Sequence, residues 1–382
     1  MVIINDFNPE CITYSQMNMI YNVRIYYRRI MNLTRSYMRN RYYRLGAADV
    51  LFDRLYLESL ELGSILHLNF GRTNSDQYSQ LLSQFVIDLR DLISAQIEGN
   101  TEQINQNVAR LYENINERAA LKAAMNPYWS EDLYKSLFGA YIQDLIEEAN
   151  ALASGNFNED VALYDRLTER TNKLGDVFAE GVYNYITSGS SLPKSGPCIT
   201  YEQMRTIQNI RMFWFDLAVW TRSYMISRYL KVGDEEAYYN RLKKVPVDYT
   251  NELKSIYGEK LAADLLQELN EYLNLINNYI TAQQTGNIDE INRIIQLLYQ
   301  NVSNRAALQA SANPFLDENE WRNRLYNIQV KGVIDESTAI LAGNIARSLD
   351  IFIDLLNQAE SMSDFFARSL FNYFTETQQI QQ

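Results

Sequence analysis

One histidine and two cysteines in 382 residues leave little material for metal or nucleophilic chemistry. The histidine, His67, has Lys254 at the corresponding place in the second half of the chain. A lone histidine beside no other ligand reads as a surface or satisfied side chain. The di-iron bundle signature of paired Glu-x-x-His motifs is absent. No Gly-x-x-x-x-Gly-Lys or Gly-x-Gly-x-x-Gly run exists to cradle phosphate. Two cysteines do not make a disulfide framework. Cys11 and Cys198 are expected as small buried hydrophobes. No cofactor and no metal site is therefore assigned.

Six prolines and 15 glycines, widely spread, leave room for long helices. Period-2 alternation bounded by hairpin turns is missing, which excludes a strand-built fold. No apolar run approaches the roughly 18 residues that span a bilayer. The start, MVIINDFNPE, lacks a basic region followed by an apolar block, so no secretory signal is read there. The expected location is cytoplasmic, or enclosed in a particle assembled inside the cell. The net charge of −12 argues against nucleic-acid binding through the overall field.

What is present is a repeat. Cys11-Ile12-Thr13-Tyr14-Ser15-Gln16-Met17 returns 187 positions later as Cys198-Ile199-Thr200-Tyr201-Glu202-Gln203-Met204. Each copy places Thr before a helix with Gln three residues on, the spacing of a capping box. Gly99-Asn100 matches Gly286-Asn287, and Asn126-Pro127 matches Asn313-Pro314, at the same offset. The offset is 188 by the time Gly155-Asn156 meets Gly343-Asn344, so the second copy holds one extra residue. These signals predict an all-α chain of two tandem homologous bundles, each of about six helices. Two equal halves suit a pseudo-two-fold arrangement. The boundaries read as 9–187 for the first bundle, 188–197 for a linker, 198–375 for the second bundle and 376–382 for a disordered tail.

Several polar residues recur in both halves: Arg24/Arg211, Arg35/Arg222, Arg54/Arg241, Arg118/Arg305, Asn114/Asn301, Glu148/Glu336 and Asp176/Asp364. Arg35, Glu148 and Asp176, with Arg222, Glu336 and Asp364, form a candidate internal polar network. It reads first as ties that fix helix register. A polar pocket in each bundle, ligand-binding or enzymatic, is the second reading. The first helix has no acid between Arg24 and Arg44 but seven arginines and several tyrosines. At 100° per residue Arg24, Arg28, Arg35 and Arg39 lie within about 60° of one another. The first reading is a solvated face, or arginines paired within the chain to carboxylates on neighbouring helices. Second, with Tyr42 they form a candidate interaction surface for a protein partner or a second copy, and third, a grip for RNA or another anionic surface. The equivalents of Arg28 and Arg39 are Phe215 and Ile226, so the second copy of this helix is expected to be more buried.

At Trp220-Thr221-Arg222, the Gly-Asn turns and Ala312-Asn313-Pro314, the chain resembles a family of uncharacterised bacterial all-helical proteins. Here its pattern would occur as a tandem duplication, with Leu33 replacing the Trp in the first half. Members of that family carry histidines on several helices, which implies a polar or metal-binding interior. The matching positions are Phe85 and Tyr272, and Tyr141 and Gln329, so the resemblance transfers no metal here. The expected function is that of a non-enzymatic structural or protein-interaction protein, self-assembling through helix faces.

Overall fold

The computed structural model describes residues 9, 11–64, 66–188 and 196–380. Its described elements are α-helices, one π-helical segment and a single pair of bridged residues. The chain divides into two compact units, residues 1–7 with 15–195, and residues 8–14 with 196–382.

Unit 1 contains α1 (Tyr14–Tyr43), α2 (Ala48–Ser64), α3 (His67–Glu98), α4 (Thr101–Met125), α5 (Glu131–Ser154) and α6 (Phe157–Thr187). Consecutive helices from α2 to α6 pack on one another. Unit 2 contains α7 (Tyr201–Leu230), α8 (Glu235–Tyr257), α9 (Glu259–Thr285), α10 (Ile288–Ala312) and α11 (Glu318–Leu325). A π segment (Tyr326–Gly332), α12 (Val333–Leu341) and α13 (Ile345–Ile380) complete it. In this unit α13 also packs along α7.

The turns are made alike in both units because their residues are alike. Gly99 and Gly286 close α3 and α9 in the left-handed conformation, at φ 68° and 67°. Asn100 and Asn287 then cap α4 and α10, each side chain accepting from the backbone N–H three residues on. Each such cap is worth about 1 kcal/mol. Thr200 and Gln203 complete the capping box that starts α7. Gly71 (φ 78°, ψ 168°) kinks α3 near its start. Gly258, with nearly the same angles, separates α8 from α9.

The extra residue in the second half has a place. The 187-residue offset still holds at the N-caps Ser130 and Asp317 and at the buried rings Tyr134 and Trp321. It has become 188 at Glu148 and Glu336. Between these points α5 is α-helical throughout, whereas unit 2 has the π segment. A π turn bonds i to i+5 and so holds one residue more per turn. The single helix expected here is therefore divided.

Two other boundaries and the state of the cysteines differ from expectation. Residues 9–14 fall in unit 2, not in the first bundle. Cys11 and Cys198 form a disulfide, with Cα atoms 5.2 Å apart, so they are not buried thiols. Beside it Ile12 and Ile199 exchange two backbone hydrogen bonds of 2.9 and 3.0 Å. The separation of 187 residues hid this pairing, since sequence distance alone gives no reason for the two cysteines to meet. Closing so long a loop stabilises the folded state by about 2–4 kcal/mol. Finally, α13 continues to Ile380 through most of the expected tail. Most of the expected linker, residues 189–195, lies outside the described residues, as do 381–382.

Candidate functional site

The arginine stripe of α1 is not a surface. Arg24, Arg28, Arg35 and Arg39 are all buried, with Arg28 at 0% exposure. Tyr42 is half-buried and donates to Gln96 at 3.4 Å, and burial pushes its phenol up to about 12. Carboxylates of the same unit take up two of these cations, Arg24 and Arg35. Arg24 makes a two-pronged pair with Asp176 on α6, at 2.9 and 2.8 Å. Arg35 donates to Glu148 on α5 and to Asp160 on α6, both at 2.8 Å. The Arg28 guanidinium lies 5.9 Å from the Tyr164 ring centre. The apolar equivalents Phe215 and Ile226 were the signal of burial: a place that takes Phe in one copy is interior in both.

The same centre stands in unit 2 with different chemistry. Arg222 pairs with Glu336, but the position of Asp160 is taken by Ser348. Arg222 donates to the Ser348 carbonyl at 3.0 Å and to its hydroxyl at 3.3 Å. A ring covers the guanidinium in both centres: Tyr164 at 4.8 Å over Arg35, Phe352 at 4.9 Å over Arg222. One cation in unit 1 thus faces two carboxylates. Burial outweighs the pull of Arg35 and, with a push from the Asp160 charge, holds Glu148 at about 8. Glu148 consequently keeps its proton near neutral pH. Glu336 is also raised by burial, with only Arg222 opposing. Asp160 carried no recurrence signal, because its partner position is serine.

A second pair of centres follows from α4 and α10. Asn114 and Asn301 each donate to a carbonyl 33 residues earlier, Leu81 and Glu268, at 2.7 and 2.8 Å. One turn on, Arg118 is sandwiched between Phe85 and Phe138, at 4.6 and 4.4 Å from the ring centres. Arg305 lies over Tyr272 at 4.9 Å and donates to Asn301 at 2.9 Å. A further turn brings Lys122 in unit 1 and Gln309 in unit 2. Lys122 is fully buried; its Nζ is 3.8 Å from the Phe178 ring centre and 3.4 Å from the Tyr27 hydroxyl. Burial, then the nearby Arg118 charge, holds this amine well below the usual lysine range. Gln309 instead donates to Tyr249 at 2.8 Å and accepts from Trp321 at 3.0 Å.

Each unit also holds a cavity of about 20 Å³, the room of one ordered water. The two cavities occupy equivalent positions. Tyr27, Ile30, Phe85, Tyr141 and Leu174 line one; their counterparts Trp214, Leu217, Tyr272, Gln329 and Met362 line the other. Phe85, Tyr272, Tyr141 and Gln329 are the four positions that the sequence resemblance singled out. In unit 2 the Gln329 amide and the Thr221 hydroxyl are buried at this cavity without a partner. Gln329 belongs to the π segment, and its carbonyl accepts from Tyr272 at 3.0 Å.

Among the described residues no group of three His, Cys, Asp or Glu is placed to hold a metal ion. His67 is exposed at the start of α3. No described helix is long and apolar enough to cross a membrane. The fold defines an all-α helical protein. Compared with protein-family models, curated proteins and solved structures, the chain matches none.

Proposed function

We propose that this chain is a structural, protein-interaction protein built by tandem duplication of one helical unit. The observation that carries this reading is the fate of the recurrent ions. Arg24, Arg35, Arg211 and Arg222 each close on a carboxylate inside the chain, Asp176, Glu148, Asp364 and Glu336 respectively. Residues spent in this way fix how helices meet. Contact then falls to exposed residues that recur. Tyr128 and Phe315 are 48% and 41% exposed at the same place after the Asn-Pro turn, and Leu60 and Val247 recur in the same manner. A second copy of the chain is the partner: two equal contacts per chain supply the valence a repeating assembly needs. The disulfide suits an oxidising or reductant-free setting, which favours enclosure in a particle over free cytoplasm.

Light scattering across a range of concentrations tests this. The mass should grow with concentration, and Tyr128→Ser with Phe315→Ser should return it to the monomer. A wild type that stays monomeric throughout contradicts assembly.

A further inference from the structure

Unit 1 buries two cations, Arg118 and Lys122, and among the described residues neither makes an ion pair. Elsewhere in the interior Arg24, Arg35, Arg211 and Arg222 each meet a carboxylate. An amine can lose its proton on burial, but a guanidinium cannot. Arg118 therefore keeps a full charge in a place that is 3% exposed. Aromatic faces on two sides offset part of that cost. The charge itself has no counterpart, and uncompensated burial of an ion is expensive.

The cavity lies where the missing charge is needed. Arg118 and Tyr141 both line it. The Arg118 Nε and the Tyr141 hydroxyl are buried and have no hydrogen-bond partner. Both are donors. We propose that the cavity of unit 1 is a site for a small inorganic anion, chloride or one of its size, held by Arg118 and Tyr141. Its volume of about 20 Å³ admits a single sphere of that kind and excludes a metabolite.

Unit 2 is the internal control. There the equivalent arginine, Arg305, does not line the cavity; it is turned to the Asn301 carbonyl oxygen at 2.9 Å, and the Glu268 charge supports it. The groups that do line it are the Gln329 amide, the Thr221 hydroxyl, the Trp214 N–H and the Glu336 carboxylate. Neutral groups beside a carboxylate suit a water molecule and repel an anion.

The test uses the full chain in gluconate buffer at constant ionic strength, with chloride replacing gluconate. The melting temperature should rise and then saturate. Arg118→Gln should abolish the response, and Arg305→Gln should leave it intact. Tyr141→Phe should shift the midpoint about tenfold to higher chloride, the equivalent of one lost hydrogen bond. A flat response in the wild type, or one that survives Arg118→Gln, overturns the proposal. Crystals of the wild type grown in bromide supply a readout independent of how the variants fold. An anomalous peak beside Arg118 Nε, with none in the unit 2 cavity, is the expected result. An empty cavity in unit 1, or equal peaks in both, overturns it.

Discussion

Unit 1 and unit 2 place the same helices, caps and cavity at matching positions, yet they fill the interior differently. Unit 1 is rich in charge: two carboxylates on Arg35, an unpaired Arg118 and a buried Lys122. Unit 2 has replaced charge by neutral groups at two of these places, Ser348 for Asp160 and Gln309 for Lys122. What stays constant is geometric. Asn114 and Asn301 hold the same carbonyls, and Arg35 and Arg222 lie under the same ring position. Helix packing therefore tolerates a change of charge so long as each hydrogen bond finds a partner of similar reach.

Breaking the ion centres should give the largest effects. Arg35→Met removes the cation paired with Glu148 and one cation from Asp160, and should cost about 3–5 kcal/mol in urea unfolding. Arg222→Met should cost less, because only Glu336 is stranded. Reducing the disulfide should cost about 2–4 kcal/mol and act on unit 2, the unit that contains both cysteines. Differential scanning calorimetry with and without reductant should move one transition and leave the other.

Grafting a side chain from one unit to the other should have a smaller effect. A Cβ on Gly175 would stand 2.7 Å from the Arg24 Cα, so α6 approaches α1 too closely for any side chain. Its counterpart in unit 2 is Ser363. Gly175→Ser should destabilise by about 1–3 kcal/mol, and Ser363→Gly by about 1 kcal/mol or less, measured by urea midpoint. Asp160→Ser should act on pH dependence. Because folding raises Glu148, its contribution is fullest at acid pH and is lost as pH rises from its ordinary 4.5 to about 8. Removing Asp160 lowers Glu148 and should shrink that loss, seen as a flatter urea midpoint between pH 5 and 9.

Most of the fold was legible in the sequence because its signals are local. Gly99-Asn100 and Gly286-Asn287 state a helix end and a helix start within two residues, and the structure builds both. The change of offset from 187 to 188 announced one extra residue, but not that a π segment would absorb it. The α1 stripe left two readings open for another reason. A stripe of arginines looks the same whether it faces water or carboxylates on other helices, since those carboxylates are more than a hundred residues away. Phe215 and Ile226 carried the correct answer at the equivalent places. Asp160 and Lys122 could not be found by recurrence at all, because unit 2 does not keep them. The disulfide and the cavities exist only once the chain has folded.

A pair of double-mutant cycles tests the central claim that the recurrent ions are internal ties. Arg35→Met with Glu148→Gln in unit 1, and Arg222→Met with Glu336→Gln in unit 2, should each give a coupling above about 2 kcal/mol. Coupling below about 0.5 kcal/mol in either unit would contradict the account, since the paired residues would then be doing something other than holding the helices together.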